Sequence, residues 1–280
     1  MTDVELDPAL FSQSIGKTVL VTGAARGIGA AIAILFNSHG ANVVLADLSQ
    51  FQQLSKDVIH NQMQSADRAI FVSADITNWA ELTACFESAI TKFGNLDIVV
   101  ANAGMMESQP VLDIDTVDAN GRLLENIEAA RVIDVNLKGT LNSELSLQMQ
   151  LLNSVPRLYV ELLRWDGSSG NVARAHGVRV NAVAPFLTPT HITAGFARQW
   201  DEAGLEKNSP EAVARAVALV ALDGGRQGNC VLVAGKYLRE LEEVREKLLP
   251  RWLGKDLAEF MRQAMRFFVS IGGYVLPRKY

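Results

Sequence analysis

"VLVTGAARGIGAAIA", residues 19–33, is the stretch on which the fold turns. A run of β-prone residues passes through Gly23, Gly27 and Gly29 into an alanine-rich helical pattern. At such a junction each glycine has a task. The turn needs positive φ, the backbone must come close to a pyrophosphate, and the helix must pack tightly on the strand. The helix N-terminus then offers N–H groups and a partial positive charge to phosphates. A glycine cluster alone is equally a tight strand-to-helix turn. The distinguishing residue is Asp47, 20 residues after Gly27 at the end of the next β-rich run, "NVVLAD". A carboxylate there accepts hydrogen bonds from adenosine ribose hydroxyls and repels a 2′-phosphate, which points to NAD. Arg26, inside the loop, could instead grip that phosphate, which leaves NADP open. The bland alternative for Asp47 is a helix cap at a strand end.

Further β-rich runs follow at "AIFVSAD" (69–75), "LDIVVAN" (96–102), "RVNAVAP" (179–185) and "NCVLVAG" (229–235). They lack strict alternation, as expected of strands buried on both faces of a parallel sheet. Helical patterns lie between them, and two end at Gly40 and Gly94, plausible C-terminal caps. Strand–helix–strand repetition predicts an α/β fold with a doubly wound, mostly parallel, Rossmann-like sheet. The expected organisation is one dinucleotide-binding domain over 16–235, with a helical extension over 236–280 packing on it. In that extension Trp252 and Leu253 are expected to pack back on the body, and "FMRQAMRFFVSIGGYVL" (260–276) to be core or subunit interface rather than the mouth of a substrate pocket.

Of the 280 residues 49% are hydrophobic and 20% charged, with a net charge of −5. No basic stripe is visible, which argues against nucleic acid as a partner. Cys85 and Cys230 read as reduced core thiols. The N-terminus lacks a long apolar run, and "FFVSIGGYVL" (267–276) is too short to span a bilayer, so a cytoplasmic protein is expected. The four histidines (39, 60, 176, 191) show no metal-ligand spacing, so no metal is expected.

The order Thr22-Gly23-x-x-x-Gly27-Ile28-Gly29, Asp75-Ile76, Asn102-Ala103-Gly104, Val135-Asn136-Leu137-Lys138-Gly139 and "HGVRVNAVAPFLTPT" resembles the short-chain dehydrogenase/reductase family. The resemblance spans roughly 16–140 and 172–235. It implies an NAD(P)-dependent enzyme interconverting a secondary alcohol and a ketone, with an apolar small-molecule substrate and a homodimer or homotetramer as its assembly. By resemblance Asp75 contacts the adenine, Asn102 supports the cofactor beside the fourth strand, and Ile76, Ala103 and Gly104 belong to the cofactor set. Lys138, Pro185, Thr188 and Thr190 belong to the cofactor set, the two threonines at the nicotinamide carboxamide. Asn136 belongs to the proton relay. Phe186 stands where the family has glycine. The C-terminal piece resembles extended members, some of which oxidise hydroxylated lipids or secondary metabolites.

The family also needs a serine on the fifth strand and Tyr-x-x-x-Lys on the following helix, the lysine lowering the tyrosine pKa. Only 45 residues separate Asn136 from Asn181. The elements that should fit there need roughly 60–70. Tyr159 is the single tyrosine in the interval, and Leu163 stands where the lysine should be. No lysine occurs between Lys138 and Lys207; Arg157 and Arg164 are the cations near Tyr159, and Ser154, Ser168 and Ser169 have no motif around them. "DGSSG" (166–170) reads as a turn. The segment is therefore altered relative to the family. Residues near 155–161 are expected to form a short substitute strand or a helix across the gap. For Tyr159 ordinary packing is weighed above a catalytic role. Two functions follow: an oxidoreductase of this family, or a dinucleotide-binding protein without turnover that regulates or partners an active homologue.

Overall fold

The computed structural model describes residues 4–110, 114–150, 158–161 and 178–271. The Val- and Ile-rich runs form β1 (Thr18–Thr22), β2 (Asn42–Asp47), β3 (Ala69–Ser73), β4 (Ile98–Ala101), β5 (Leu158–Glu161), β6 (Arg179–Pro185) and β7 (Cys230–Ala234). With β8 (Tyr237–Glu240) they make one sheet in the order β3-β2-β1-β4-β5-β6-β7-β8. All pairings are parallel except β7 with β8. The strand order steps outward in both directions from β1 and β4, so their C-terminal ends flank the crevice where open α/β sheets bind ligands.

Burial on both faces explains the unalternating sequence. Val19, Val21, Val43 and Leu45 pack on one side with α1 (Gly27–Ser38). Leu20, Val44 and Val99 pack on the other with Leu82, Cys85 and Phe86 of α3 (Trp79–Phe93), which follows α2 (Gln52–Gln62). Burial pushes the Cys85 thiol up to about 12, so it stays protonated and is no nucleophile. The helix ends follow the sequence signals. Asn78 caps α3 by accepting from the N–H groups of Ala80 and Glu81, and Gly94 closes it at φ +84°. Gly40 turns the chain after α1 at φ +87°.

Residues 236–240 depart from the expected helical extension. Gly235, at φ +58°, and Lys236 form a two-residue turn, and Tyr237–Glu240 pairs back on β7 as β8. "KYLRE" is too charged to read as a buried strand, but charge suits the edge of a sheet. The helices of the extension are α8 (Glu242–Trp252) and α9 (Lys255–Ser270). They follow α4 (Ile127–Ile133), α5 (Thr140–Gln150), α6 (Ala197–Glu202) and α7 (Pro210–Leu222). The packing expected of them is largely absent among the described residues. Trp252 is 75% exposed, and Phe260, Met265 and Phe267 are exposed, so residues 260–271 are not core, while 272–276 lie outside the described residues. An amphipathic pattern reports that one face is apolar, not that the same chain covers it.

Glu240 ties β8 to α8. Its carboxylate accepts from the N–H groups of Cys230, Glu242 and Glu243 and from Asn229 Nδ2. Burial raises its pKa, but these bonds together hold it below the ordinary carboxylate value. A depressed folded pKa contributes stability that is present above the unfolded value and lost as pH falls through the folded one. Glu240→Gln is expected to cost roughly 1–3 kcal/mol at pH 7, a drop in Tm of several degrees. That difference should shrink as pH falls below the usual carboxylate range. Melting curves of the two proteins from pH 7 to pH 3 check this; a difference independent of pH would refute it.

Candidate functional site

The C-terminal ends of β1, β2 and β4 converge on the glycine loop. Gly23 and Gly27 adopt φ +66° and +60°. Asn102 binds the loop to β4: its Nδ2 donates to the carbonyls of Thr22 (2.9 Å) and Gly23 (3.1 Å). The Thr22 hydroxyl accepts from the N–H groups of Asn102 and Ala103, each at 3.1 Å. A β-carbon on Gly23 would lie 2.8 Å from Ala103 Cα, and one on Gly29 would lie 2.6 Å from Asn102 Nδ2 and run into the Gly23 carbonyl oxygen. The tight packing of the turn and helix read from the sequence is therefore present at Gly23 and Gly29. No side chain caps the N-terminus of α1, where Arg26 is extended. The first N–H groups of Gly27, Ile28 and Gly29 thus form a cradle of the kind that suits phosphate oxygens.

Asp47 reaches back to the loop. Its Oδ2 accepts from Ala25 N at 2.9 Å and its Oδ1 from Leu48 N at 2.8 Å. The Arg26 guanidinium lies over the Phe51 ring, 4.3 Å from its centroid. His191 is drawn into this corner, a placement the sequence did not suggest. Partial burial, then Arg26, lower its pKa, while Asp47 opposes them. Asp75 Oδ1 accepts from both N and Oγ1 of Thr77 at 2.8 Å, closing the turn that carries Ile76. Ile76 is buried, and Gly139 lies so close that a β-carbon there would strike it.

Asn136 lies in a π-helical turn, Asp134–Gly139, between α4 and α5. Wider turns of this kind aim side chains out of the helical register. Its Oδ1 accepts from Met105 N at 2.9 Å and its Nδ2 donates to Met105 O at 2.8 Å. Asn136 also stands against Gly104, where a β-carbon would lie 3.2 Å from its Oδ1. Lys138, in the same turn, is exposed.

Across the crevice, Pro185 ends β6 and the chain runs on over the glycine loop. Thr190 Cγ2 lies 3.2 Å from where a Gly27 β-carbon would stand. Thr193 Oγ1 donates to Thr188 O and accepts from Thr190 N. Thr188 is buried, whereas Phe186 is exposed and meets Trp200 edge-on. The geometry thus brings together the glycine loop, Asp47, Asn102 with Ala103 and Gly104, Asn136, and Thr188 with Thr190.

Tyr159 is the second residue of β5, with its backbone in register with Val99 and Val180. The short substitute strand is what forms, over four residues, and it ends at Glu161 rather than at a serine. Ser154, Arg157, Arg164, Ser168, Ser169, His176 and the 166–170 turn lie outside the described residues. No group of three or more potential metal ligands occurs among the described residues, and none of their helices is long and apolar enough to cross a membrane.

A family model described as short chain dehydrogenase matches residues 17–153. The cis-4-hydroxycyclohexanecarboxylate dehydrogenase of Sinomonas cyclohexanicum is 30% identical over 245 residues, which cover 79% of this chain and 96% of that protein. The chain belongs to the short-chain dehydrogenase/reductase family. Among other members, short-chain dehydrogenase/reductase prx4 of Penicillium roqueforti is 29% identical, with 91% of this chain and 85% of the relative covered. The solved 3-ketoacyl-(acyl-carrier-protein) reductase of Brucella melitensis, in complex with NADH, covers 80% of this chain and 98% of its own. Its TM-score of 0.64 at 23% identity speaks for the fold. Short-chain dehydrogenases/reductases use a nicotinamide dinucleotide, and the α1 N-terminus, with no side-chain cap and with glycine at 27 and 29, suits the phosphates of one.

Proposed function

We propose that this chain is an oxidoreductase that binds NAD in preference to NADP and interconverts an apolar secondary alcohol and its ketone. The observation that carries the reading is the convergence of the glycine loop, Asp47 and Asn102 at three adjacent strand ends. When bound, the nicotinamide ring supplies the hydride acceptor or donor. The α1 N-terminus holds the pyrophosphate, and Asp47 takes the adenosine ribose hydroxyls. Asp75 and Ile76 flank the adenine, with Lys138 at the rim, while Asn102, Ala103 and Gly104 shape the floor. Pro185, Thr188 and Thr190 close the nicotinamide end. Asn136 acts by position, since both atoms of its amide are engaged by the Met105 main chain. The relative named for a hydroxylated cyclohexane ring supports a secondary alcohol as substrate.

A second reading, cofactor binding without turnover, is favoured by one observation: Tyr159 stands within a strand, and no lysine occurs between Lys138 and Lys207. The two readings share their first test. NADH is expected to bind at least tenfold more tightly than NADPH, and Asp47→Asn to erase most of that ratio by removing the charge that repels a 2′-phosphate. Titrations by nicotinamide fluorescence decide it. Equal or tighter NADPH binding by the unaltered chain would mean that Arg26 outweighs Asp47.

A further inference from the structure

Asn208 sits at the turn before α7, in "EKNSPEA", where its type and neighbours suggest only a helix-cap region; Ser209 is in fact the cap, accepting from Ala212 N. Yet Asn208 is 4% exposed. Its Nδ2 lies 2.9 Å from Val233 O, 3.1 Å from Phe186 O and 3.2 Å from Thr188 Oγ1. Its Oδ1 accepts from Gly235 N at 2.7 Å, and its main-chain N donates to Leu187 O at 2.8 Å. One side-chain amide therefore joins the end of β7 to Phe186 and Thr188, and the main chain of the same residue holds Leu187 between them. No other small side chain does this. A carboxylate has no proton for the two carbonyls, and an aliphatic group would take the acceptor from Gly235 N and one donor from each of the others, although Val233 O still accepts from Phe186 N and Phe186 O from the Thr188 hydroxyl.

The consequence falls on Thr188. Its hydroxyl donates to Phe186 O at 3.0 Å, so its hydrogen has a fixed direction, and one lone pair faces the Asn208 amide. The hydroxyl is held in one orientation by a residue that lies behind it. We propose that Asn208 is a positioning residue for the nicotinamide end of the cofactor groove, acting through Thr188 and the 186–188 main chain without touching the cofactor. The proposal rests on the dinucleotide reading above and assigns to a residue outside the family motifs the preorganisation of one end of that site. Holding a loop in its bound shape removes an ordering cost from binding, so release of the loop should weaken only those ligands that engage it.

ADP-ribose provides the discriminating probe, because it carries the adenosine, pyrophosphate and both riboses but lacks nicotinamide. Calorimetric titration of the intact protein and of Asn208→Ala with NADH and with ADP-ribose is the test. The expected result is NADH binding weakened about tenfold, the equivalent of about 1.4 kcal/mol, with ADP-ribose affinity changed less than twofold. Asn208→Ser, which retains one donor, should fall between the two, and it supplies the measurement if the alanine variant does not melt cooperatively. Equal weakening of both ligands would mark a merely structural role and overturn the proposal, as would unchanged NADH affinity. If the unaltered protein binds neither ligand, the dinucleotide reading fails and takes the proposal with it; if it binds both and their ratio does not respond to Asn208, the proposal alone falls.

Discussion

Exchanging residues 151–177 for a segment of the family type, a strand ending in serine followed by a helix with Tyr-x-x-x-Lys, is expected to raise secondary-alcohol oxidation at pH 7 by roughly 10²–10⁴-fold. The reason lies in proton transfer. Without a neighbouring lysine cation a tyrosine keeps a pKa near 10, so only about one molecule in a thousand carries the phenolate at pH 7. Such a group is a poor base for alcohol oxidation, although it still donates a proton when a ketone is reduced. Asn136 cannot take over, because an amide does not titrate in this range. NADH formation over a panel of hydroxysteroid, fatty and aromatic alcohols makes the comparison. Fast turnover by the unaltered chain, lost in Tyr159→Phe, would prove that Tyr159 works without the lysine and would defeat this expectation.

Gly29→Ala should reduce NADH affinity by two orders of magnitude or more. The added β-carbon would collide with the Gly23 carbonyl oxygen and lie 2.6 Å from Asn102 Nδ2. Neither neighbour can yield alone, since Asn102 is itself bonded to that carbonyl and to Thr22 O. The start of α1 must move away from the loop, which disperses the N–H groups that would face the phosphates. Overpacking of this kind costs roughly 1–3 kcal/mol, so the melting temperature should fall by several degrees as well. Gly224→Ala is the control: a β-carbon there meets nothing within 4 Å. NADH binding retained within threefold by Gly29→Ala would show that the cradle is not where the pyrophosphate sits.

The inner strands were legible in the sequence because burial on both faces leaves only apolar, β-branched residues, as in "TVLVT" and "NVVLAD". The meeting of the glycine loop with Asp47 and Asn102 was legible because their spacing is set by the backbone path from one strand end to the next. β8 was not, since an edge strand tolerates Arg239 and Glu240. Asn208 was not, because its partners at 186, 188, 233 and 235 are remote in the chain and its neighbours mimic a helix start. The exposure of Phe260 and Met265 was not, because periodicity is silent on which molecule supplies the covering surface. His191 is not singled out as a site residue by the sequence, although its neighbour Thr190 is placed beside the cofactor by resemblance.

The four-residue β5 has a mechanical consequence. Among the described residues it is the strand that connects the β3-β2-β1-β4 block to the β6-β7-β8 block in the sheet order. The β4–β5 and β5–β6 ladders have four residue pairs each against five for β1–β2 and β2–β3, so amide hydrogens of β4 and β6 that face β5 should exchange through partial opening along this seam before those between β1 and β2. The glycine loop, Asp47 and Asn102 lie on one side of that seam, and Pro185, Thr188 and Thr190 on the other. A dinucleotide spanning the crevice would staple the two blocks together, and its binding would be felt first as a slowing of exchange along the seam.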